Sequence, residues 1–447
     1  MHDPDLVIVG GGLAGCEAAW QAAKRGLRVR LFEMRPAHST GAHTSDRLAE
    51  LVCSNSLGSL QANRAGGMLK AELEHLGSLL LEVATQSAVP AGSALAVDRE
   101  IFAQAVTDRL AAHPRIEIVR EEVTQIPSGL AILASGPLTS ATLAEAIATF
   151  AGTDHLYFFD AVAPIVSADS IDMTIAFRQS RGGEADDYLN CPLDRGQYLA
   201  LVTALCSAER TSLRDFEQAI VQGVRAGAAT FFERCLPVEI IAERGAQTLA
   251  YGPLRPVGLN DPRTGLRAHA VVQLRQEDRH ATLFNLVGFQ TNLRIEEQQR
   301  VFRMIPGLEH AHFVRFGQMH RNMFVNAPHV LLPTLQTRAR ADLLMAGQIT
   351  GVEGYMGNVA TGLLAGWNAA RLARGREPLC LPATTMLGAL CGYVSSAEEK
   401  HFQPMKSNFG ILPPLEARPR ARLDRGQVYA DRGALDLAQF LAAHHDD

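Results

Sequence analysis

The sequence lacks the features of a membrane, secreted or metal-binding protein. No apolar run approaches the roughly 18 residues needed to span a bilayer, and a strand-like segment begins at Leu6, which leaves no room for a signal peptide. The seven cysteines form neither a C-x-x-C pair nor a Cys/His cluster at metal-ligand spacing. We therefore expect a cytoplasmic protein with reduced thiols, no structural metal and no membrane contact.

Internal repeats and low-complexity segments are also missing, and a net charge of -5 does not by itself indicate a nucleic-acid-binding protein. The charge is uneven, however, because residues 251–330 contain ten Arg but only six Asp and Glu. A hydrophobic content of 47% is typical of globular proteins. The 447 residues allow two domains, or one large domain with an insertion.

What the sequence does contain is a dinucleotide-binding pattern at residues 6–33. An apolar, strand-like run precedes Gly10, Gly12 and Gly15 in G-x-G-x-x-G spacing, and a helix-like segment and a second strand ending at Glu33 follow. In such units the glycines permit a tight turn, close approach of a pyrophosphate and close helix packing, while the acid binds a ribose. The helix N-terminus attracts phosphate. The alternative is a structural glycine-rich turn.

A second strand–glycine–helix unit lies near the end of the chain. Residues 341–347 form an apolar run, Gly351, Gly354 and Gly357 follow, and residues 358–373 have helical composition. Such a unit returns the chain to its first domain and directs a second helix N-terminus at the ligand. Because a positive helix end stabilises the charge of a reduced flavin, this unit favours FAD over NAD or S-adenosylmethionine.

These patterns predict an α/β protein with a Rossmann-like FAD-binding domain of the glutathione-reductase type and an inserted α+β domain. Elements alternate between helix and strand up to about residue 153, including one helix expected over residues 65–84. We assign residues 1–153 to the first part of the FAD-binding domain and residues 154–330 to an inserted substrate or tRNA domain. Residues 331–447 form the second part and a peripheral C-terminal tail.

Two cysteines are candidate catalytic residues. Cys53 lies in a long polar loop, between an apolar stretch and the string SNS, and its alternative is a buried structural thiol. Cys235 lies between Arg234 and Leu236-Pro237, where a nearby cation and irregular backbone favour a reactive thiolate that adds to an electron-poor ring. A structural thiol is again the alternative. Cys16 and Cys206 are expected to pack in apolar surroundings.

An arginine-rich segment, RPVGLNDPRTGLRAHAVVQLRQEDR, is followed by further arginines such as Arg294, Arg300 and Arg315. Guanidinium groups suit phosphates, and the string HRNMF at residues 320–324 mixes cation, amide and aromatic side chains in the manner of proteins that bind RNA loops. A solvated charged face is the alternative interpretation.

Several strings along the chain resemble one family, TrmFO, the bacterial folate- and FAD-dependent tRNA (uracil-5-)-methyltransferases. The similarity runs from residue 7 to about 371. The matching strings are VGGGLAGCEAAW, LFEMRP, AELVCSNSLGS, VPAGSALAVDRE, GPLTS, YLNCP, CLPVE, YGPLRPVGL, VVQLRQED, LVGFQTNL, MIPGLE, MHRN and GVEGYMGNVATGLLAGWNAAR.

The resemblance implies the reaction. A carbon from 5,10-methylenetetrahydrofolate would be transferred to C5 of the T-loop uridine of tRNA, with reduced FAD as carrier and reductant and NAD(P)H as the source of electrons. Cys235 would add to uracil C6, and Cys53 would lie near the flavin and take part in methylene transfer or proton handling. The residues expected to bind FAD are Gly10, Gly11, Gly12, Leu13, Ala14, Gly15, Glu33, Arg35, Gly347, Gly351, Gly357, Thr361 and Gly362.

One position departs from the pattern of many two-dinucleotide-domain flavoproteins, because Gln348 stands where they carry an Asp. Three other functions remain open. The first is the flavoprotein family that modifies the wobble uridine with a partner GTPase, which is longer and has a C-terminal helical domain. The second is a non-catalytic, flavin-containing RNA-binding factor. The third is an FAD oxidoreductase for a small molecule.

Overall fold

The structure combines a parallel sheet, an inserted antiparallel sheet and two smaller sheets. It is a computed structural model that describes residues 3–181, 186–211, 236–416 and 422–444. The strands are β1 (Leu6–Val9), β2 (Val29–Phe32), β3 (Ser56–Ser59), β4 (Ala88–Val89), β5 (Ala94–Val97), β6 (Ile116–Val119), β7 (Ala131–Leu133), β8 (Leu156–Ala161), β9 (Ile165–Ser167), β10 (Phe177–Arg178), β11 (Tyr188–Leu193), β12 (Ala270–Gln276), β13 (Leu283–Leu286), β14 (Phe313–Arg315), β15 (Met319–Phe324) and β16 (Leu343–Met345).

Most helices of the described part pack on the parallel sheet or on the inserted sheet. The α-helices are α1 (Leu13–Lys24), α2 (Ala65–His75), α3 (Leu79–Gln86), α4 (Arg99–Ala111), α5 (Ala141–Ala151), α6 (Arg195–Ser207), α7 (Val238–Glu243), α8 (Thr248–Tyr251), α9 (Ile295–Phe302), α10 (Ala327–Val330), α11 (Tyr355–Leu372), α12 (Met386–Ser396) and α13 (Arg422–Ala443). No helix in the described ranges is long and apolar enough to cross a membrane.

The parallel sheet has the order β16-β7-β1-β2-β6, so the two strand–glycine–helix units belong to one sheet. Its central strands are apolar and buried, as expected for strands covered on both faces. Helix α1 packs directly along α11 through glycines: a Cβ at Gly362 would lie 2.2 Å from Ala14 O, and one at Gly366 would lie 2.4 Å from Ala18 O. The two units therefore form one body, in which their helices start side by side.

The inserted part is a six-stranded antiparallel sheet of order β10-β11-β12-β13-β9-β14 with its own apolar core. A two-stranded ribbon, β8 paired with β15, leads into it and out of it. This arrangement is the inserted α+β architecture expected from the sequence. The exact boundaries at residues 153 and 330 stay a prediction. The helix expected over residues 211–232 lies, apart from residue 211, outside the described residues.

Two segments near the chain ends differ from expectation. The single helix predicted over residues 65–84 is two helices, because Gly77 has a φ of +72° and Ser78 accepts a hydrogen bond from the N–H of Leu81 to cap α3. The tail, expected to be peripheral, contains α13, which packs on α2. A Cβ at Gly433 would lie 2.4 Å from Met68 Cε. The tail thus contributes to the packing of the first domain.

Candidate cofactor and substrate clefts

A cleft of about 1000 Å³ lies where the β1–α1 turn meets the ends of β2 and β16. We call it the cofactor cleft. Eight of the predicted FAD-binding residues line it, namely Gly10, Gly11, Gly12, Leu13, Ala14, Glu33, Arg35 and Gly347.

The glycine turn gives the cofactor cleft its backbone wall. Gly10 has a φ of +106°, and a Cβ there would lie 2.4 Å from Ala134 O, so only glycine fits. A Cβ at Gly12, in contrast, would have no atom within 4 Å and would occupy open space at the cleft. Gly12 is also the N-cap of α1, whose free N–H groups attract anions. This turn fits a pyrophosphate.

A buried acid closes the other end of the cofactor cleft. Glu33 Oε2 accepts a hydrogen bond from the Gly11 N–H at 3.0 Å, and Oε1 accepts one from Arg35 Nε at 2.8 Å. Burial alone would raise the pKa of Glu33, but the hydrogen bonds and charge of Arg35 hold that pKa below its usual value. An ionised carboxylate here retains lone pairs for the hydroxyls of a ribose.

Arg35 is one of the residues expected to bind FAD, and a guanidinium group suits the phosphates of this cofactor. Its side chain is 4% exposed and lies between two carboxylates, because Nη1 also donates to Glu50 Oε2 at 3.0 Å. This guanidinium therefore fixes the acid of the cofactor cleft, and a direct phosphate contact stays a prediction.

The second unit supplies polar groups without a partner. Gly347 has a φ of +82° and donates its N–H to Thr361 Oγ1 at 3.0 Å, which directs the neighbouring Gln348 into the cleft region. Asn358, at the start of α11, is 7% exposed, and its Oδ1 is buried with no hydrogen-bond partner among the described residues. A bound donor would satisfy this oxygen. The amide of Gln348 can both donate and accept, unlike the Asp it replaces.

The remaining predicted FAD-binding residues do not line the cofactor cleft. A Cβ at Gly15 would lie 1.9 Å from Gly10 O, and one at Gly351 would lie 2.6 Å from Phe402 Cζ. Gly362 packs on α1 as described, and Thr361 holds Gly347. These residues shape the cleft through packing and hydrogen bonds behind its wall. Gly357 lines a neighbouring cleft instead.

That neighbouring cleft, of about 2190 Å³, is here called the second cleft. It is lined by Cys53, by the N-terminus of α11, by loops of the parallel-sheet part and by residues of the inserted part. A few residues line both clefts, which therefore adjoin each other. These are Val52, Pro137, Leu138, Gln348 and Tyr355.

Tyr355 fixes the segment that carries Cys53. Its hydroxyl oxygen accepts hydrogen bonds from the N–H groups of Cys53 at 2.9 Å and Ser54 at 3.0 Å. Burial raises the pKa of Tyr355, so the hydroxyl stays protonated. Cys53 Sγ is half-buried, with Ala161 O at 3.8 Å. The predicted thiol is thus held at the junction of the two clefts.

Two arginines hold the start of this segment. Arg99 Nη1 donates to Leu51 O at 3.1 Å and forms a two-pronged ion pair with Glu277, at 2.8 and 3.2 Å. Arg315, on the inserted strand β14, donates to Val52 O at 3.1 Å. Both side chains therefore bind backbone carbonyls immediately before Cys53.

A third arginine holds the residues after Cys53. Arg275, on the inserted strand β12, is 8% exposed and donates from Nε to Asn55 Oδ1 at 2.7 Å and from Nη2 to Ser54 Oγ at 2.8 Å. We call Arg99, Arg275 and Arg315 the arginine clamp. It brings three cations and one carboxylate, Glu277, around the thiol. Local sequence patterns could not pair Arg275 and Arg315 with residues more than 200 positions away.

The expected role of the arginine-rich segment needs correction. Arg275 and Arg315 were expected to contact phosphates but bind the Cys53 segment, because they lie on strands that face the first domain. Arg294 and Arg300 are paired with acidic side chains. Arg255 and Arg267 are exposed and have no hydrogen-bonded or ion-paired side-chain partner in the described ranges.

Cys235 lies outside the described residues, but the residues just after it are placed. The N–H of Val238 donates to Gln290 O at 2.7 Å, and Glu239 Oε1 accepts from the N–H of Asn292 at 2.8 Å. Gln290 lines the second cleft. The string that follows Cys235 is therefore anchored to a loop of the second cleft.

Of the two cysteines expected to pack in apolar surroundings, Cys16 is buried and donates to Gly11 O, and burial raises its pKa. Cys206 is exposed at the end of α6, so that prediction was wrong. Among the described residues, no group of three His, Cys, Asp or Glu side chains is placed to hold a metal ion.

A glycine turn on a parallel sheet, an acid at the end of the next strand and a second helix end beside the first together define a Rossmann-like dinucleotide-binding protein with an inserted sheet. Residues 5–377 match the family described as glucose inhibited division protein A. A crystal structure of Aquifex aeolicus GidA superposes with a TM-score of 0.67 at 17% identity, covering 98% of this chain and 76% of that chain. This likeness confirms the predicted fold class.

Closer relatives narrow the assignment. A protein of Pelotomaculum thermopropionicum, named methylenetetrahydrofolate–tRNA-(uracil-5-)-methyltransferase TrmFO, is 54% identical over 437 residues, 97% of this chain and 98% of the relative. A protein of the same name from Synechococcus sp. strain JA-3-3Ab is 56% identical over 434 residues, 96% of this chain and 94% of the relative. The chain belongs to the TrmFO family.

Proposed function

We propose that the cofactor cleft binds FAD. Gly12 and the N-terminus of α1 would bind the pyrophosphate, and Glu33 would bind the adenosine ribose. Asn358 and Gln348 would bind polar groups of FAD that lie toward the flavin. The open space at Gly12 and the partnerless Oδ1 of Asn358 support this assignment. When bound, FAD supplies two electrons and a carrier for a one-carbon unit.

We infer that the chain methylates C5 of the T-loop uridine of tRNA, with 5,10-methylenetetrahydrofolate as the carbon donor. The relatives named above carry this folate-dependent tRNA (uracil-5-)-methyltransferase name. The observation that carries the proposal is that the two clefts adjoin at Tyr355 and Gln348, so that a substrate in the second cleft would lie beside a cofactor in the first. Cys53 lies at that junction.

Two thiols would serve the reaction. Uracil C5 is a weak nucleophile until a thiolate adds at C6, and we assign that addition to Cys235. Anchoring of residues 238–239 to the Gln290 loop supports this role, because Gln290 lines the second cleft. We assign Cys53 to transfer of the one-carbon unit or of a proton. The target base must leave the folded T loop to enter the cleft.

Each methyl group formed requires two electrons, and we propose that NADH or NADPH provides them. We also propose that the protein acts in the cytoplasm and that residues 154–330 form the tRNA-binding domain, with residues 1–153 and 331–447 forming the FAD-binding domain. Exposed Arg255 and Arg267 would contact the tRNA backbone from this domain.

The test is an assay with purified, FAD-loaded protein, unmodified tRNA, 5,10-methylenetetrahydrofolate and NADPH, read by mass spectrometry of nucleosides. We expect 5-methyluridine in the T loop. Cys235→Ala should abolish it while leaving yellow protein. Cys206→Ala, which changes an exposed thiol at the end of α6, is the matched control and should remain active.

Other outcomes would favour the rival functions. A modified wobble uridine would favour membership of the flavoprotein family that modifies this position. The superposition covers only 76% of the Aquifex GidA chain. Tight RNA binding with an unchanged nucleoside profile would favour a non-catalytic RNA-binding factor. Full activity of Cys235→Ala would remove that thiol from the mechanism.

A further inference from the structure

The second cleft has two chemically different walls. One consists of residues 56–66 and 406–409, both in the part of the chain that contains the parallel sheet; we call it the basic wall. The opposite wall contains Val162, Gln290 and Asn322, from the inserted part and its ribbon. Two substrates, a folate and a uridine, must share this cleft in the proposed function. The chemical difference between the walls therefore indicates which substrate binds at which wall.

The basic wall contains two cations, Arg64 and Lys406, and no Asp or Glu of its own, while Glu353 lines the cleft beside it. Lys406 Nζ lies 3.3 Å from Glu353 Oε2. The side chain of Arg64 has no hydrogen-bond or ion-pair partner in the part of the chain that the structure describes. Arg64 is thus the cation of this wall available to an external anion.

A buried lysine adds charge beneath the same wall. Lys70, in α2, is 4% exposed and donates from Nζ to Ser59 O at 2.9 Å and to Gly66 O at 3.3 Å. Burial lowers its pKa to about 8, and no carboxylate of the described residues pairs with it. An anion bound above the loop would favour the charged form of this lysine.

Two further features of the basic wall point to a ligand. Asn63 lines the second cleft, and its Oδ1 is buried without a hydrogen-bond partner among the described residues. Phe409, in the second segment of the basic wall, also lines the cleft and is half-buried. A ligand that carries an N–H donor, an apolar ring and an anionic end would contact all three groups, Asn63, Phe409 and Arg64.

We propose that the basic wall binds the p-aminobenzoyl-glutamate end of the folate co-substrate, with Arg64 paired to a glutamate carboxylate. The uridine then enters along the opposite wall, where Gln290 and Asn322 present amides suited to the edge of a base. This inference rests on the proposed function. Folate supplies the required parts: an amide N–H for Asn63, an aromatic ring for Phe409 and carboxylates for Arg64.

The experiment measures folate binding directly, by equilibrium dialysis of the FAD-loaded full chain against tetrahydrofolate with one or three glutamates. We expect the wild-type protein to bind the triglutamate more tightly. Arg64→Gln should weaken binding of the monoglutamate about tenfold, the effect of losing about 1.4 kcal/mol of interaction, and should remove the preference for the triglutamate. Arg64→Lys should retain part of that preference, because it keeps the charge.

Arg195→Gln is the matched control, since Arg195 is another arginine without a side-chain partner among the described residues but lies in the inserted part. Its folate affinity should equal that of the wild type. Flavin absorbance and circular dichroism of Arg64→Gln should also be unchanged, which reports an intact fold.

Each contrary result has a distinct meaning. If Arg64→Gln left folate binding unchanged, with or without weaker tRNA binding, the folate tail would not bind at the basic wall. The proposed function would remain in place. A wild-type, FAD-loaded protein that binds neither folate would overturn the proposed function and this inference together.

Discussion

The cofactor cleft and the second cleft are neighbours built in different ways. The first is built around backbone, namely glycine turns, two helix ends and one acid, with lining residues that come mainly from 9–14, 32–35, 121–123, 134–143 and 347–348. The second is made of side chains brought together from residues 52–66, the inserted sheet and α11. A backbone site tolerates few substitutions, because an added Cβ collides with main chain. A side-chain site is expected to lose function before it loses its fold.

The largest effect is expected from Gly15→Ala, which tests the backbone cleft at its base. The new Cβ would lie 1.9 Å from Gly10 O, so α1 must move away from β1. We expect a loss of at least about 3 kcal/mol in the free energy of unfolding, measured by urea denaturation, and colourless protein. A stable yellow variant would show that the turn can relax.

Gly12→Ala separates cofactor binding from folding in the same cleft. Its Cβ would meet no atom within 4 Å, so the stability of the FAD-free protein should change by less than about 1 kcal/mol. FAD affinity should fall about 100-fold, because the methyl group occupies the space of the pyrophosphate. Fluorescence titration of the flavin measures this affinity. If Gly12→Ala bound FAD with wild-type affinity, the pyrophosphate would have to bind elsewhere.

Arg275→Met tests the side-chain cleft. It removes hydrogen bonds to Asn55 and Ser54, and we expect a loss of about 2 kcal/mol in stability. FAD content should be unchanged, whereas methylation should fall at least tenfold as the Cys53 segment loosens. Arg303→Met is the control, because Arg303 also donates two hydrogen bonds, but to the backbone oxygen of Ala311 within the inserted part, and its loss should leave activity intact. Loss of FAD in Arg275→Met would contradict the separation of the two clefts.

The smallest effect is expected from Glu33→Gln, which keeps an acceptor for the Gly11 N–H but loses the ion pair with Arg35. We expect about 1 kcal/mol of lost stability at pH 7. Because the pKa of Glu33 is lowered on folding, its contribution is present above its unfolded pKa of about 4.5 and is lost as the pH falls through the folded value. Denaturation at several pH values should show a shallower loss of stability in acid for Glu33→Gln. If the free energy of unfolding of this variant depended on pH in acid as it does in the wild type, Glu33 would not be the source of this dependence.

The same contrast explains what the sequence could predict. The glycine turn, Glu33 and the cap of α4 by Asp98 are local patterns, in which neighbouring residues determine the geometry. Tyr355, Arg275 and Arg315 contact residues more than 200 positions away, so their partners depend on how distant parts of the chain pack together. The arginine-rich segment was therefore assigned to phosphates, although two of its cations are buried against the Cys53 segment. The helix-forming composition of residues 65–84 likewise gave no indication that the helix ends before Gly77.

The clamp has a consequence for how such chains diversify. Because Arg275 and Arg315 belong to the inserted sheet but their acceptors belong to residues 52–55, the inserted part cannot be exchanged for that of a distant relative by itself. A functional chimera would need the thiol-bearing loop and both strands from the same parent. Recombination between homologous genes should therefore succeed only when its crossover points keep these three segments together.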